Sequence, residues 1–242
     1  MGKSVVLKDN ICVSGVPMMN GSRLFEGLVP QIDATVVTRL LEQGATITGK
    51  ATCESFCYSG GSHTSDTGPV LNPWSNKRSA GGSSSGCAAL LASREVDMAL
   101  GCDQAGSIRI PAAFCGIYGL KPTYGLVPYT GILASEISLD HVGPMTTTVE
   151  DNATLLEVIS GPDGLDPRQT HNVTHSYTES LKIPVNGMRI GILREGFGLS
   201  NSEKEVDELV YAAAEKYGEL GATVKEVSIP LHKISAAIRA PI

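Results

Sequence analysis

Two short segments rich in glycine and serine carry the side chains best suited to chemistry. They are Gly81-Gly82-Ser83-Ser84-Ser85-Gly86 and Gly101-Cys102-Asp103-Gln104-Ala105-Gly106-Ser107-Ile108-Arg109. Glycine opens backbone conformations closed to other residues and lets a second group come close, so the serine hydroxyls here are candidate nucleophiles or proton relays. Serine attacks only when a base takes its proton. Histidine is the usual base, yet neither segment holds one, and His63 is the nearest in a plausible loop. A serine–lysine arrangement fits the available residue types better. Linkers are also built of Gly and Ser, but a linker does not run straight into Ile110-Pro111-Ala112-Ala113-Phe114-Cys115-Gly116-Ile117-Tyr118.

Two motifs in the same region suggest other chemistries. Gly44 to Lys50 has the outline of a phosphate-binding loop, but Ala51 stands where Ser or Thr must hold magnesium, and a helix rather than a strand precedes it. Gly82-Ser83-Ser84-Ser85-Gly86 satisfies the G-x-S-x-G pattern of a nucleophile elbow formally. That elbow needs a strand just before it, and Asn76–Ala80 reads as a loop.

The elements that must position these loops read as an α/β protein. Lys3–Lys8 is a short β-prone run ending in Asp9-Asn10. Asp33 is placed to cap a helix whose Val36, Val37, Leu40 and Leu41 form an apolar stripe, with Gly44 as its stop. A strand is expected over Ala45–Thr48, a helix over Cys87–Glu95, a buried strand over Val96–Gly101 and another strand over Ile117–Pro122. Thr148–Ser160 is an amphipathic helix, with Ala153, Leu155, Leu156 and Ile159 on its apolar side. Met188–Leu193 and Val224–Ile229 read as strands. Between them Ser202 and Glu205 form a capping box ahead of Val206, Leu209, Val210, Ala213 and Tyr217 at helical spacing. The polar stretch Ala51–Ala80 is too long to be an idle connection. Alternation of strand and helix implies a sheet with helices on its faces.

The stretch from Gly81 to about Gly125 resembles the signature of the amidase signature family. Tyr118-Gly119-Leu120-Lys121-Pro122-Thr123 and Val127-Pro128-Tyr129-Thr130-Gly131 are most similar to bacterial-type broad-range or enantioselective amidases. The resemblance runs from about Val5 to Arg168 and more weakly beyond. It implies a mixed β-sheet core flanked by helices and a single amidase signature domain over residues 1–242. It also implies hydrolysis of a carboxylic amide to the acid and ammonia through an acyl-serine. In that family a lysine from a Lys-Asp-Asn run contacts a serine on a cis peptide, which contacts the nucleophilic serine. Lys8, Ser83 and Ser107 match these three. Lys8 acts as a base only when neutral, so its pKa must be depressed by burial or a nearby positive field. The backbone N–H groups of Gln104, Ala105, Gly106 and Ser107 are the expected oxyanion donors. Ser84 is expected to support the relay, and Asp103 and Arg109 to orient the loop. Without the resemblance, Lys8 reads equally as an exposed strand-end lysine, and Arg109 as half of a surface salt bridge.

This chain departs from the family pattern at Ala105 and Ser85, where glycines are common; a methyl at 105 is expected to narrow the acyl pocket or strain the oxyanion hole. Family members are also considerably longer, so the chain is expected to be a partial member, incomplete at both ends. Two alternatives follow: a non-catalytic remnant or assembly module, and the amidase component of a tRNA-dependent amidotransferase.

Composition sets the outer bounds. The chain of 242 residues is 42% hydrophobic and 18% charged, ordinary for a globular protein. A net charge of −6 and the lack of a basic tract give no reason to expect nucleic acid. No apolar run approaches membrane-spanning length. The six cysteines read as reduced thiols in a cytoplasmic protein; Cys53 and Cys57 could share a helical face, but no second pair completes a zinc site. No metal and no cofactor is expected, and the expected partner is a small amide substrate, with a homodimer left open.

Overall fold

Val5, Val6 and Leu7 are apolar in succession because both faces of their strand are covered, the pattern of a strand buried inside a helix-flanked sheet. The computed structural model describes residues 2–170, 173–235 and 237. They fall into two compact units, Met1–Leu181 and Lys182–Ile242. In the first unit, β1 (Ser4–Lys8) lies between β2 (Thr46–Ala51) and β5 (Met98–Asp103), parallel to both. Strand β7 (His141–Thr146) pairs antiparallel with β5 and with the two-residue β6 (Tyr118–Gly119), giving the order β2-β1-β5-β7-β6. The sheet is therefore mixed, as expected.

Side chains on a strand alternate between faces. Val5 and Leu7 pack with Met98 and Leu100 of β5 against α1 (Thr35–Glu42) and α4 (Val149–Ile159), where Val36, Val37, Leu40, Leu155, Leu156 and Ile159 are buried. Val6 and Ala99 face the other way, against Cys87, Ala88 and Leu91 of α2 (Ser85–Ala92). Lys8, two residues after Val6, inherits that second face. Helix α3 (Arg109–Cys115) follows the second Gly/Ser loop and ends at Gly116 in the left-handed conformation.

Several local details differ from the sequence reading. Asp33 does not cap α1; its carboxylate accepts the Ser14 N–H at 2.7 Å, and Ala34 holds the cap position. The stretch Ala51–Ala80 contains a hairpin, β3 (Leu71–Asn72) with β4 (Ser75–Ser79), so a strand does precede Gly82. Strand β7 has no expected counterpart, because Gly143 and Pro144 mask its β character. From Thr46 on, the Gly44–Lys50 run lies in β2 and forms no phosphate loop.

The second unit pairs β8 (Arg189–Leu193) with β9 (Thr223–Val227) in parallel, joined through α5 (Lys204–Glu219). Ser202 makes no capping box with Glu205; its hydroxyl meets Leu199 O and Asp207 Oδ2, both at 3.1 Å. No helix among the described residues is long and apolar enough to cross a membrane.

Candidate active site

The sheet brings the two Gly/Ser loops to the carboxyl ends of β1 and β5, where open α/β sheets place their ligands. Lys8 closes β1 and is fully buried. Its Nζ donates to Ser83 Oγ at 2.7 Å and to Cys102 O at 3.3 Å. The Gly82–Ser83 peptide is cis. Ser83 is fully buried, and its carbonyl accepts the Glu54 N–H at 3.2 Å. A side chain at Gly82 would run into the Gly61 carbonyl, so only glycine permits that approach.

Ser84 opens α2 as an internal clasp. Its hydroxyl donates to Cys102 O at 3.2 Å and accepts from Cys102 N at 3.3 Å, while its N–H reaches Ser107 O at 3.2 Å. A fully buried hydroxyl bound on both sides by one residue's backbone does not form a nucleophile elbow. Ser107 is buried, with 8% of its surface exposed. His63, the alternative base, is an exposed residue.

Asp103 governs the second loop. It is fully buried; Oδ1 accepts the Gly106 N–H at 2.7 Å and Oδ2 the Ile108 N–H at 3.1 Å. Arg109 forks onto the same carboxylate, Nε to Oδ2 and Nη2 to Oδ1, each at 3.0 Å. Burial pushes the Asp103 carboxyl up, but Arg109 and the two N–H groups pull it below its ordinary value. The Gly106 N–H is thus engaged by Asp103, so of the four expected oxyanion donors those of Gln104, Ala105 and Ser107 are the ones Asp103 does not hold. Gly106 has φ +122°, a left-handed value that favours glycine. Ala105 is exposed, so its extra methyl fills no packed space. The Gln104 side-chain nitrogen is buried without a hydrogen-bond partner among the described residues.

Sulfur surrounds the lysine on its other side. Burial lowers the Lys8 pKa, while thiolates at Cys57, Cys102, Cys53 and Cys87 act to raise it, and with those charges present the balance is upward. The positive field expected to depress it is absent from these neighbours. Burial holds Cys87 and Cys102 up at about 12, so both are neutral thiols near pH 7. Its contact with Cys57 and its burial also place Cys53 well above its ordinary value. Cys57 alone of the four is drawn down, to about 7, by the Cys53 hydrogen bond against its burial, helped by the Lys8 charge. The depressed Lys8 pKa expected from the sequence is therefore not met while these sulfurs carry charge. Cys53 and Cys57 do not share a helical face; Cys57 sits in a left-handed turn. Their spacing was visible in the sequence, but nothing there pointed to Lys8.

The buried lysine on a serine and the carboxylate-tied loop with its second serine lie together at the strand ends of a mixed α/β sheet flanked by helices. A family model described as Amidase matches residues 1–240, and the chain belongs to that family. It is 51% identical to an enantioselective amidase of Rhodococcus rhodochrous over 98% of this chain and 46% of the relative. It is 45% identical to a glutamyl-tRNA(Gln) amidotransferase subunit of Exiguobacterium sibiricum, covering 98% of this chain and 49% of that one. The crystal structure of the corresponding glutamyl-tRNA(Gln) amidotransferase subunit from Thermotoga maritima superposes with a TM-score of 0.92 at 39% identity, over 97% of this chain and 52% of that one. The peptide amidase of Stenotrophomonas maltophilia does so with a TM-score of 0.87 at 33% identity, over 97% and 49%. The chain spans about half the length of these relatives.

Proposed function

We propose that the protein hydrolyses a carboxylic amide to the acid and ammonia through an acyl-Ser107 intermediate. The 2.7 Å hydrogen bond between the buried Lys8 Nζ and Ser83 Oγ carries this reading. Neutral Lys8 accepts the Ser83 proton as Ser83 takes that of Ser107, and Ser107 Oγ attacks the amide carbon. The oxyanion is met by N–H groups of the 104–107 loop, where losing one donor costs on the order of 100-fold in rate. The relay then returns a proton to the leaving nitrogen, ammonia departs, and water repeats the sequence on the acyl group. Asp103, Arg109 and Ser84 hold the loop without touching the substrate. The identity to an enantioselective amidase supports an amide substrate.

A fluorophosphonate probe read by intact mass tests the assignment. One adduct is expected on the wild-type chain and none on Ser107→Ala; an adduct that survives the substitution overturns it. The similarity to amidotransferase subunits favours a second reading, in which the chain supplies ammonia to a partner that modifies aminoacyl-tRNA. Glutaminase activity that appears only with added partner proteins supports that reading, and turnover of simple amides by the chain alone rejects it.

A further inference from the structure

The hydrolytic reading gives tasks to Lys8, Ser83, Ser107 and Asp103, and none to a second fully buried carboxylate, Glu54. Its Oε2 accepts three hydrogen bonds from one turn: the His63 N–H at 3.2 Å, the Thr64 N–H at 3.1 Å and the Thr64 hydroxyl at 2.8 Å. Its Oε1 is buried with no hydrogen-bond partner among the described residues. Burying a carboxylate is costly, and an orphaned oxygen adds to the cost, so a side chain that only filled space would be better apolar.

What the turn touches accounts for the carboxylate. The Gly61 carbonyl stands where a side chain on Gly82 would go. A Cβ on Gly60 would meet Ile110 Cδ1 at 3.5 Å, and the same Ile110 closes on Gly106. The Ser62 hydroxyl accepts the Ala80 N–H at 3.2 Å. Residues 60–62 therefore abut both Gly/Ser loops. Glu54 also reaches the first loop itself: its N–H donates to Ser83 O at 3.2 Å, and its Cγ faces Gly82.

We propose that Glu54 is a positioning residue for the relay serine. Its carboxylate holds the 61–64 turn against Gly82 and its N–H holds the Ser83 carbonyl, so that Ser83 Oγ stays at Lys8 Nζ while it serves Ser107. This rests on the Lys8–Ser83–Ser107 reading for its catalytic consequence. Glu54 touches no reacting atom and acts through Ser83. A neutral amide is a poor substitute. It offers one oxygen to the three donors without charge assistance, and it leaves an NH2 group where Oε1 has no partner.

Glu54→Gln, made in the full chain, keeps the size of the side chain and tests the assignment. Amide hydrogen exchange should quicken by about tenfold or more at His63 and Thr64 and, beyond the turn, at the Glu54 and Ser84 amides. The maximal rate of fluorophosphonate labelling, kinact, should fall by about tenfold or more with the probe's KI unchanged. In a Ser83→Ala background the same substitution should alter the residual rate by less than about twofold, because the hydroxyl it positions is gone. Thr64→Val removes one of the three donors at an exposed position, and should give the same pattern at about threefold if Glu54→Gln does not fold.

A merely structural carboxylate would lower the denaturant midpoint while leaving kinact of the folded chain and the Ser84 exchange rate unmoved, and that overturns the proposal. So does a loss that multiplies with that of Ser83→Ala, since Glu54 would then act elsewhere. A Ser83→Ala chain labelled at the full wild-type rate would sink the relay reading instead. Faster Ser84 exchange in Glu54→Gln would then still show that Glu54 holds the loop.

Discussion

The two Gly/Ser loops look alike in composition and are held by different forces. Residues 81–86 are wholly buried and fixed by contact: added side chains at Gly81 and Gly82 would meet the Pro111 backbone and the Gly61 carbonyl. Residues 103–107 are fixed by charge, through one carboxylate that gathers the Gly106 and Ile108 N–H groups and the Arg109 guanidinium. The first loop should therefore respond to size before charge. The second should respond to charge and tolerate volume at the exposed Ala105.

The sharpest way to break that contrast is Gly82→Ala. The methyl meets backbone at Gly61, which cannot rotate aside, and Glu54 Cγ at 2.9 Å. A loss of about 3 kcal/mol or more is expected, at or beyond the upper end for overpacking, seen as a fall in the denaturant midpoint. A variant as stable as wild type would mean that contact does not hold this loop.

Asp103→Asn should cost less, about 2 kcal/mol, because shape is kept while charge-assisted hydrogen bonds are lost. Its effect on pH dependence is the more telling one. The folded Asp103 pKa lies below the unfolded value of about 3.9, so its stabilisation is present above that pH and disappears as pH falls through the folded value. Wild type should thus lose stability below about pH 4 more steeply than Asp103→Asn. Parallel curves would remove the carboxylate from its assigned part.

Arg109→Lys should have the smallest effect. The arginine side chain is 52% exposed, and lysine keeps the charge while losing the two-pronged contact. A change of about 0.5–1 kcal/mol is expected in thermal unfolding, the scale of an exposed ion pair. A loss as large as that of Asp103→Asn would show that the fork, rather than the N–H groups, ties the loop.

Much of the architecture was legible in advance. Helices α1 and α4 follow from stripes such as Val36, Val37 and Leu40 and from Leu155, Leu156 and Ile159, which are in fact buried. Strands β1 and β5 follow from short apolar runs. Strand β7 was hidden by Gly143 and Pro144, and the Asp33 cap and the Ser202 capping box were displaced by tertiary hydrogen bonds. Local signals compete poorly with a distant partner that offers a better acceptor or donor.

The residue types of the site, their order, and the spacing of Cys53 and Cys57 belong to the sequence alone. Periodicity along the chain also determined which helices could bury an apolar stripe. Tertiary structure decided which face of the sheet receives Lys8, that Ser84 turns inward, that Asp103 takes the Gly106 N–H, and that a thiol stands behind the lysine. These depend on strand register and on contacts between residues far apart in the chain, where a one-residue shift would turn Lys8 to the opposite face. Spacing within a segment cannot encode such a choice; packing the two faces of one sheet does.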